Sequence, residues 1–198
     1  MRTIAVSLII VFLLTLSSCG PSPHRVGTGN LKDEAGHYVY NGIAWGSSKE
    51  ETEEKLGFKL TAEPMAGQIA ESGLESLTYD QLNCAEIVIN GKTYKGGARV
   101  WFEGGLLTGI GFFFTMPAGE SADALHALAA DLTAKYGEPR EQPDVEPMIE
   151  IPGREAYGWM RFEDSVFTSL SAGKHTQRDD ESREIVGLVL GFHHRVSE

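Results

Sequence analysis

The sequence predicts an α+β domain, an antiparallel sheet with two main helices packed on one face. Three observations lead there. Helical and strand patterns follow one another in the order helix, strands, helix, strands. Short glycine turns join neighbouring strand patterns, as antiparallel pairs allow and parallel pairs do not. The second helix carries one apolar stripe, so it has one face to bury on a sheet. The same order admits two αβββ halves, although the halves are too dissimilar in sequence to establish a repeat.

The elements follow in order. Tyr38 to Trp45 reads as a strand, and Ser47 with Glu50, or Ser48 with Glu51, forms a capping box that opens a helix. Gly57 stops that helix after Leu56. Glu50, Glu51, Glu53 and Glu54 are expected on a solvated face, with the helix packed at one edge of the sheet. Pro64, Gly67 and Gly73 predict a loop over residues 61–76. Glu86 to Ile89 runs into Asn90-Gly91, the strongest short hairpin signal, and returns through Tyr94. Ala98 to Glu103 turns at Gly104-Gly105 into Leu106 to Thr115, where Ile110, Phe112 and Phe114 share one face by the two-residue period.

The second helix has Ser121 as its expected cap, and Leu125, Leu128, Leu132 and Tyr136 recur along one side. Gly137 and Pro139 end it. Strands are expected over Glu155 to Phe162, Val166 to Leu170 and Glu184 to Phe192, with a charged turn over residues 177–184.

The chain opens with Met1-Arg2 and an uncharged apolar run from Ile4 to Leu16. That run is shorter than the roughly 20 residues a spanning helix needs and has the length of a secretory h-region. It ends in Leu16-Ser17-Ser18-Cys19-Gly20, which resembles the lipobox of bacterial lipoproteins. The resemblance implies cleavage after Ser18, diacylglycerol on the Cys19 sulfur and an acylated N-terminus. The other reading is an ordinary secretory signal with a chance cysteine. Residues 1–18 are therefore expected to be a signal peptide, 19–36 a lipidated flexible tether reaching roughly 20–25 Å, and 37–198 a single periplasmic domain. With Gly20 after the cysteine rather than Asp, the resemblance favours the outer membrane.

The formal net charge is −11, and removing residues 1–18, whose one charge is Arg2, makes it more negative. Such a surface disfavours nucleic acid and direct adsorption on anionic lipid, which leaves the lipid anchor as the membrane contact. It suits a basic partner or simply aids solubility. Once Cys19 is lipidated, Cys84 has no cysteine left to pair with and is expected to be a buried small hydrophobe.

No known catalytic constellation stands out. Gly-x-Ser-x-Gly, Cys-x-x-Cys and His-Glu-x-x-His are absent. His193 and His194 are adjacent on a strand and so point to opposite faces, which prevents joint metal binding. Gly109-Ile110-Gly111 lies inside a strand and reads as close packing or a bulge rather than a phosphate loop. No enzyme, cofactor or metal is expected.

Gly42 to Glu51, Phe102 to Leu107, Lys135 to Pro139 and Trp159 together form a loose pattern that is similar to small outer-membrane assembly lipoproteins of the SmpA/OmlA type. It also resembles β-lactamase inhibitor protein-like modules, which place helices on an antiparallel sheet. The pattern consists of folding signals, so it implies architecture, and no residue role is carried over.

The expected function is a lipid-anchored envelope protein acting as a non-catalytic protein-interaction or structural module, with an envelope protein as partner. Trp101 and Phe113 are the expected contact anchors, on the sheet face turned away from Phe112 and Phe114. The loops at 61–76 or 139–153 could equally cover that face. Two alternatives remain. One is an inhibitor of a basic secreted or cell-wall-active enzyme, using Asp179, Asp180 and Glu181. The other is a small-ligand-binding protein with a pocket near His194, Arg161 or Glu163.

Overall fold

A computed structural model of the chain describes residues 22–34, 36–66, 74–139, 155–163, 166–176 and 183–194. Within them the protein is an α+β fold of mostly antiparallel strands with two α-helices. The strands are β1 (His24–Val26), β2 (Leu31–Glu34), β3 (His37–Tyr40), β4 (Met65–Ala66), β5 (Ser76–Ile89), β6 (Lys92–Glu103), β7 (Leu106–Pro117), β8 (Glu155–Glu163), β9 (Val166–Thr176) and β10 (Arg183–His194). The helices are α1 (Lys49–Leu56) and α2 (Ser121–Tyr136).

The main sheet runs in the order β1-β5-β6-β7-β10-β9-β8, with β4 paired to the start of β5. All these pairings are antiparallel except β1 with β5. One face is the core. Ile110, Phe112, Phe114 and Met116 of β7 alternate inward by the strand period and belong to the same buried cluster as Leu125, Leu128 and Leu132 of α2. Trp159 of β8 joins the same cluster, and its indole N–H donates to the Gly137 carbonyl (2.8 Å), tying β8 to the end of α2.

The first helix starts where the sequence places it. Ser48 accepts from the Glu51 N–H (3.3 Å), and the Glu51 carboxylate accepts from the Ser48 N–H (2.9 Å). Gly57 closes the helix in the left-handed region at φ 76°. Its acidic row is not wholly solvated. Glu53 is 5% exposed and accepts from Lys49 Nζ (2.6 Å), Lys59 Nζ (2.8 Å) and the Leu60 N–H (2.9 Å). Burial alone would raise its pKa, but these donors outweigh it and hold the carboxyl at about 2.

The second helix differs at its start. Glu120 is the residue before it and makes no side-chain cap. Ser121 is already helical, and its buried hydroxyl donates to the Glu184 carboxylate of β10. Glu184 also accepts from the Gly119 N–H (3.4 Å), so a strand residue supplies the negative charge that the helix N-terminus favours.

The largest correction concerns residues 22–34, which were expected to lie within a flexible tether. His24–Val26 adds a parallel strand to β5, a 3-10 turn covers Thr28–Asn30, and Leu31–Glu34 forms a hairpin with β3. Val26 and Leu31 are 3% and 0% exposed. Two apolar residues separated by a glycine-rich turn have no detectable period, yet each fills a core site. Lys135 of α2 donates to the Thr28 carbonyl (2.9 Å) and to that of Leu31. The β2–β3 hairpin shares the core side of the sheet, where the Tyr38 N–H donates to Thr168 Oγ1 of β9 (3.0 Å). The strand expected over Tyr38 to Trp45 ends at Tyr40, and the Trp45 indole N–H folds back to the Tyr38 carbonyl (2.8 Å). The loop expected over 61–76 contains β4, while residues 67–73 lie outside the described residues.

Candidate functional site

The sheet face opposite the core is built from three cross-strand rows. One runs Thr78, Trp101, Gly109, Gly191, Ser169, Met160. The next runs Asp80, Arg99, Gly111, Val189, Ser171, Gly158. The third runs Gly97, Phe113, Gly187, Gly173, Ala156. Glycine, serine and alanine dominate on β7, β10 and β9, so few large side chains project from these three strands on this face.

Trp101 and Phe113 are both half-buried, and they lie across this small-residue floor. A Cβ added at Gly109 would sit 2.7 Å from Trp101 Cε3. One at Gly111 would sit 2.8 Å from Phe113 Cε2 and 3.0 Å from Trp101 Cη2. One at Gly187 would sit 3.1 Å from Phe113 Cδ1. The indole thus spans Gly109 and Gly111 along β7, and the Phe113 ring bridges Gly111 and Gly187. This gives the physical reason for Gly109-Ile110-Gly111: glycine leaves room for rings to rest on the backbone. A register shift of the β6–β7 pair falls beside Trp101.

Between the two rings stands an ion pair. Arg99 Nε and Nη2 donate to Asp80 Oδ1 and Oδ2 (2.5 and 2.7 Å), and the guanidinium carbon is 5.9 Å from the Phe113 ring centre. The hydrogen bond to Asp80 raises the Arg99 pKa further. The fork geometry leaves the centre of the face neutral but polar. Sequence reading missed this pair. The residues are 19 apart, and only the β5–β6 register makes them neighbours.

A hollow of about 410 Å³ lies at the Trp101 end, lined by strand residues that include Glu103, Thr108, Ser169 and Phe192. Another of about 400 Å³ lies at the Phe113 end, with Lys95, Arg99 and His175 in its wall. Among the described residues, neither hollow has a helix residue in its lining. Leu74 and Leu106, 50% and 53% exposed, stand beside the β6–β7 turn at the Trp101 end, where Leu74 packs on Gly104.

The other sequence candidates are placed apart. Arg161 Nε donates to Asp33 (2.9 Å), and Glu163 lies 3.3 Å from His37 Nε2, so both serve the β2–β3 hairpin and do not converge on a pocket. The side chain of His194 lies outside the described residues, as do Asp179, Asp180, Glu181 and the loop at 140–154. Cys19 also lies outside them. Cys84 is half-buried rather than buried, its thiol donates to the Gln81 carbonyl (3.2 Å), and burial pushes its pKa up.

No protein-family model, curated protein or solved structure matches the chain. Its site must be read from its own residues. His126, Glu155 and Tyr157 meet on the surface of α2 and β8, where both hydrogen bonds to Glu155 are 3.0 Å. Among the described residues, no group of three or more His, Cys, Asp or Glu side chains is gathered for a metal ion.

Proposed function

We propose that this protein is a lipid-anchored envelope protein whose non-catalytic domain binds another envelope protein through the open face of its sheet. The domain reads as two αβββ units, α1 with β5–β7 and α2 with β8–β10, joined where β7 pairs with β10. The anchor reading rests on the apolar run from Ile4 to Leu16 and the lipobox-like Leu16 to Cys19. Residues 1–18 are read as the signal peptide and the mature chain as facing the periplasm from the outer membrane.

The observation that carries the binding reading is the seating of Trp101 and Phe113 on Gly109, Gly111 and Gly187. Rings held this way have little conformational freedom to lose, which lowers the cost of binding. Aromatic residues with an adjacent arginine are the favoured composition of an interface centre. The two hollows, of about 400 and 410 Å³, are lined by residues of several neighbouring strands, which suits contact spread along the face of the sheet.

Position-resolved crosslinking tests this. A photoreactive residue is placed at Thr108 or Ser171 on the open face and at Ala130 on the exposed side of α2. The same adduct from both face positions and none from Ala130 is expected. Adducts from Ala130 with none from the face would refute the reading. Replacing Cys19 by Ala should release the protein from the membrane fraction, and unchanged fractionation would count against the anchor.

A further inference from the structure

The start of the described chain sits beside its most exposed apolar side chain. Ser22 and Pro23 share a hollow of about 430 Å³ with Phe58, Lys59, Leu82 and Asn83. Leu82 is 75% exposed, the highest among the exposed large hydrophobic residues described. It stands on a bulge. The β5–β6 register passes from Gln81 opposite Ala98 to Ala85 opposite Gly96, so Leu82, Asn83 and Cys84 face Gly97 alone. Asn83 takes the left-handed conformation at φ 54°, and the Cys84 thiol bonds the Gln81 carbonyl, closing the base of the bulge. The backbone folds over Gly97, whose added Cβ would meet the Gln81 carbonyl oxygen at 2.6 Å. An apolar side chain is therefore held outward on a braced tip.

Cys19 precedes Ser22 by three residues. Three residues span at most about 10 Å. A bilayer's polar headgroup layer is about 5–8 Å thick on each side. A lipid on Cys19 brings Ser22, and the hollow it shares with Leu82, to the membrane surface.

From this juxtaposition we infer that the Leu82 bulge is a second membrane contact, seated in the headgroup layer of the leaflet that holds the Cys19 lipid. The inference rests on the lipid-anchor reading given above. Lys95, exposed and in the wall of the Phe113-end hollow with Leu82, places an ammonium where lipid phosphates lie. Two contacts fix orientation where one lipid would leave the domain free to tumble. The β5 side of the sheet, where the bulge projects, faces the bilayer, and β8, five strand spacings from β5, stands about 24 Å further out. The open face then rises from the membrane as a wall.

The test uses the lipidated full-length product in vesicles of phosphatidylethanolamine and phosphatidylglycerol. A fluorophore is attached through Leu82→Cys in a Cys84→Ser background, or through Ala156→Cys on β8 in the same background. Lipids brominated near the headgroup are then added, and the mass of the N-terminal peptide is read to verify diacylglycerol on Cys19. Quenching at position 82 several-fold greater than at 156 is the expected result. Equal quenching at both positions on a protein shown to be lipidated overturns the inference and leaves the anchor intact. A peptide mass without lipid overturns the anchor and the inference together. A label shielded at 82 by self-association, seen as a dimer in detergent, assigns the tip to a second copy and also overturns it. Leu82→Asp with the label moved to Thr61 provides a second variant. Loss of quenching there supports the seating, and undiminished quenching contradicts it.

Discussion

Replacing Glu53 by Gln should destabilise the fold in a way that depends on pH. Glu53 is 5% exposed and accepts hydrogen bonds from two lysines and one backbone N–H. Its pKa falls from an ordinary 4.5 to about 2. A displacement of that size is worth about 3 kcal/mol at neutral pH. Lys59 is 72% exposed, and solvent screens its share, so about 2 kcal/mol is the working figure. The folded pKa is depressed, so the contribution is fully present above the unfolded value and is lost as pH falls through 4.5 towards 2. Glutamine keeps an acceptor but lacks the charge. The variant should therefore unfold about 2 kcal/mol more easily at neutral pH, and the deficit should shrink through the acid range as the native carboxyl protonates. Urea titrations followed by far-ultraviolet circular dichroism at stepped pH measure both terms. A deficit that stays constant from neutral pH down to about 3 would refute the charge as its source, and no deficit at neutral pH would refute the buried network itself.

Other perturbations separate specific claims. Leu31→Ala should cost about 2–5 kcal/mol in chemical unfolding, because the side chain is fully buried; a residue in a free tether would cost nothing. Gly96→Ala should be far more damaging than Gly111→Ala. The first places a Cβ 2.1 Å from the Phe113 carbonyl oxygen, which cannot step aside, while the second meets only ring edges at 2.8 and 3.0 Å. Thermal melts of the pair rank them, and equal losses would contradict the ring seating. His24 is half-buried, with its pKa lowered by burial and its Nε2 2.8 Å from the Tyr40 hydroxyl. Stability should therefore fall as pH drops from about 6.5 towards the lowered value. His24→Phe should flatten that segment of the pH–stability curve.

The fold was legible where local chemistry and burial agree. The capping box at Ser48, the Asn90-Gly91 hairpin, with both residues at positive φ, and the alternation of Ile110, Phe112 and Phe114 all follow from neighbours in sequence. It was illegible where long-range pairing decides. Val26 and Leu31 are core residues only because β5 and α2 reach them from 61 and 104 positions away. Likewise, nothing local shows that Ser121 donates to a carboxylate on β10 instead of capping its own helix. The site divides the same way. Strand periodicity put Trp101 and Phe113 on the face away from the core, but the Asp80–Arg99 pair between them depends on register. Leu82 looks like an ordinary exposed leucine until the bulge and the position of Ser22 are known.

The glycines bear most directly on the binding proposal. Glycine inside a strand costs roughly 0.5–1 kcal/mol relative to alanine and packs nothing of its own. Gly109, Gly111, Gly187 and Gly191 all face away from the core, at positions where a soluble sheet could carry threonine or lysine at no such cost. Part of the loss is recovered by the rings of Trp101 and Phe113, which cover Gly109, Gly111 and Gly187. Gly191 and Ser169 line the hollow at the Trp101 end. A face needed only for solubility has no reason to be thinned there. A face meant to admit a partner's side chain down to the backbone does, and filling the floor with Gly191→Leu should abolish binding while leaving Trp101 in place. A variant that folds and still yields the crosslinked adduct from Thr108 would show that the partner does not use this floor.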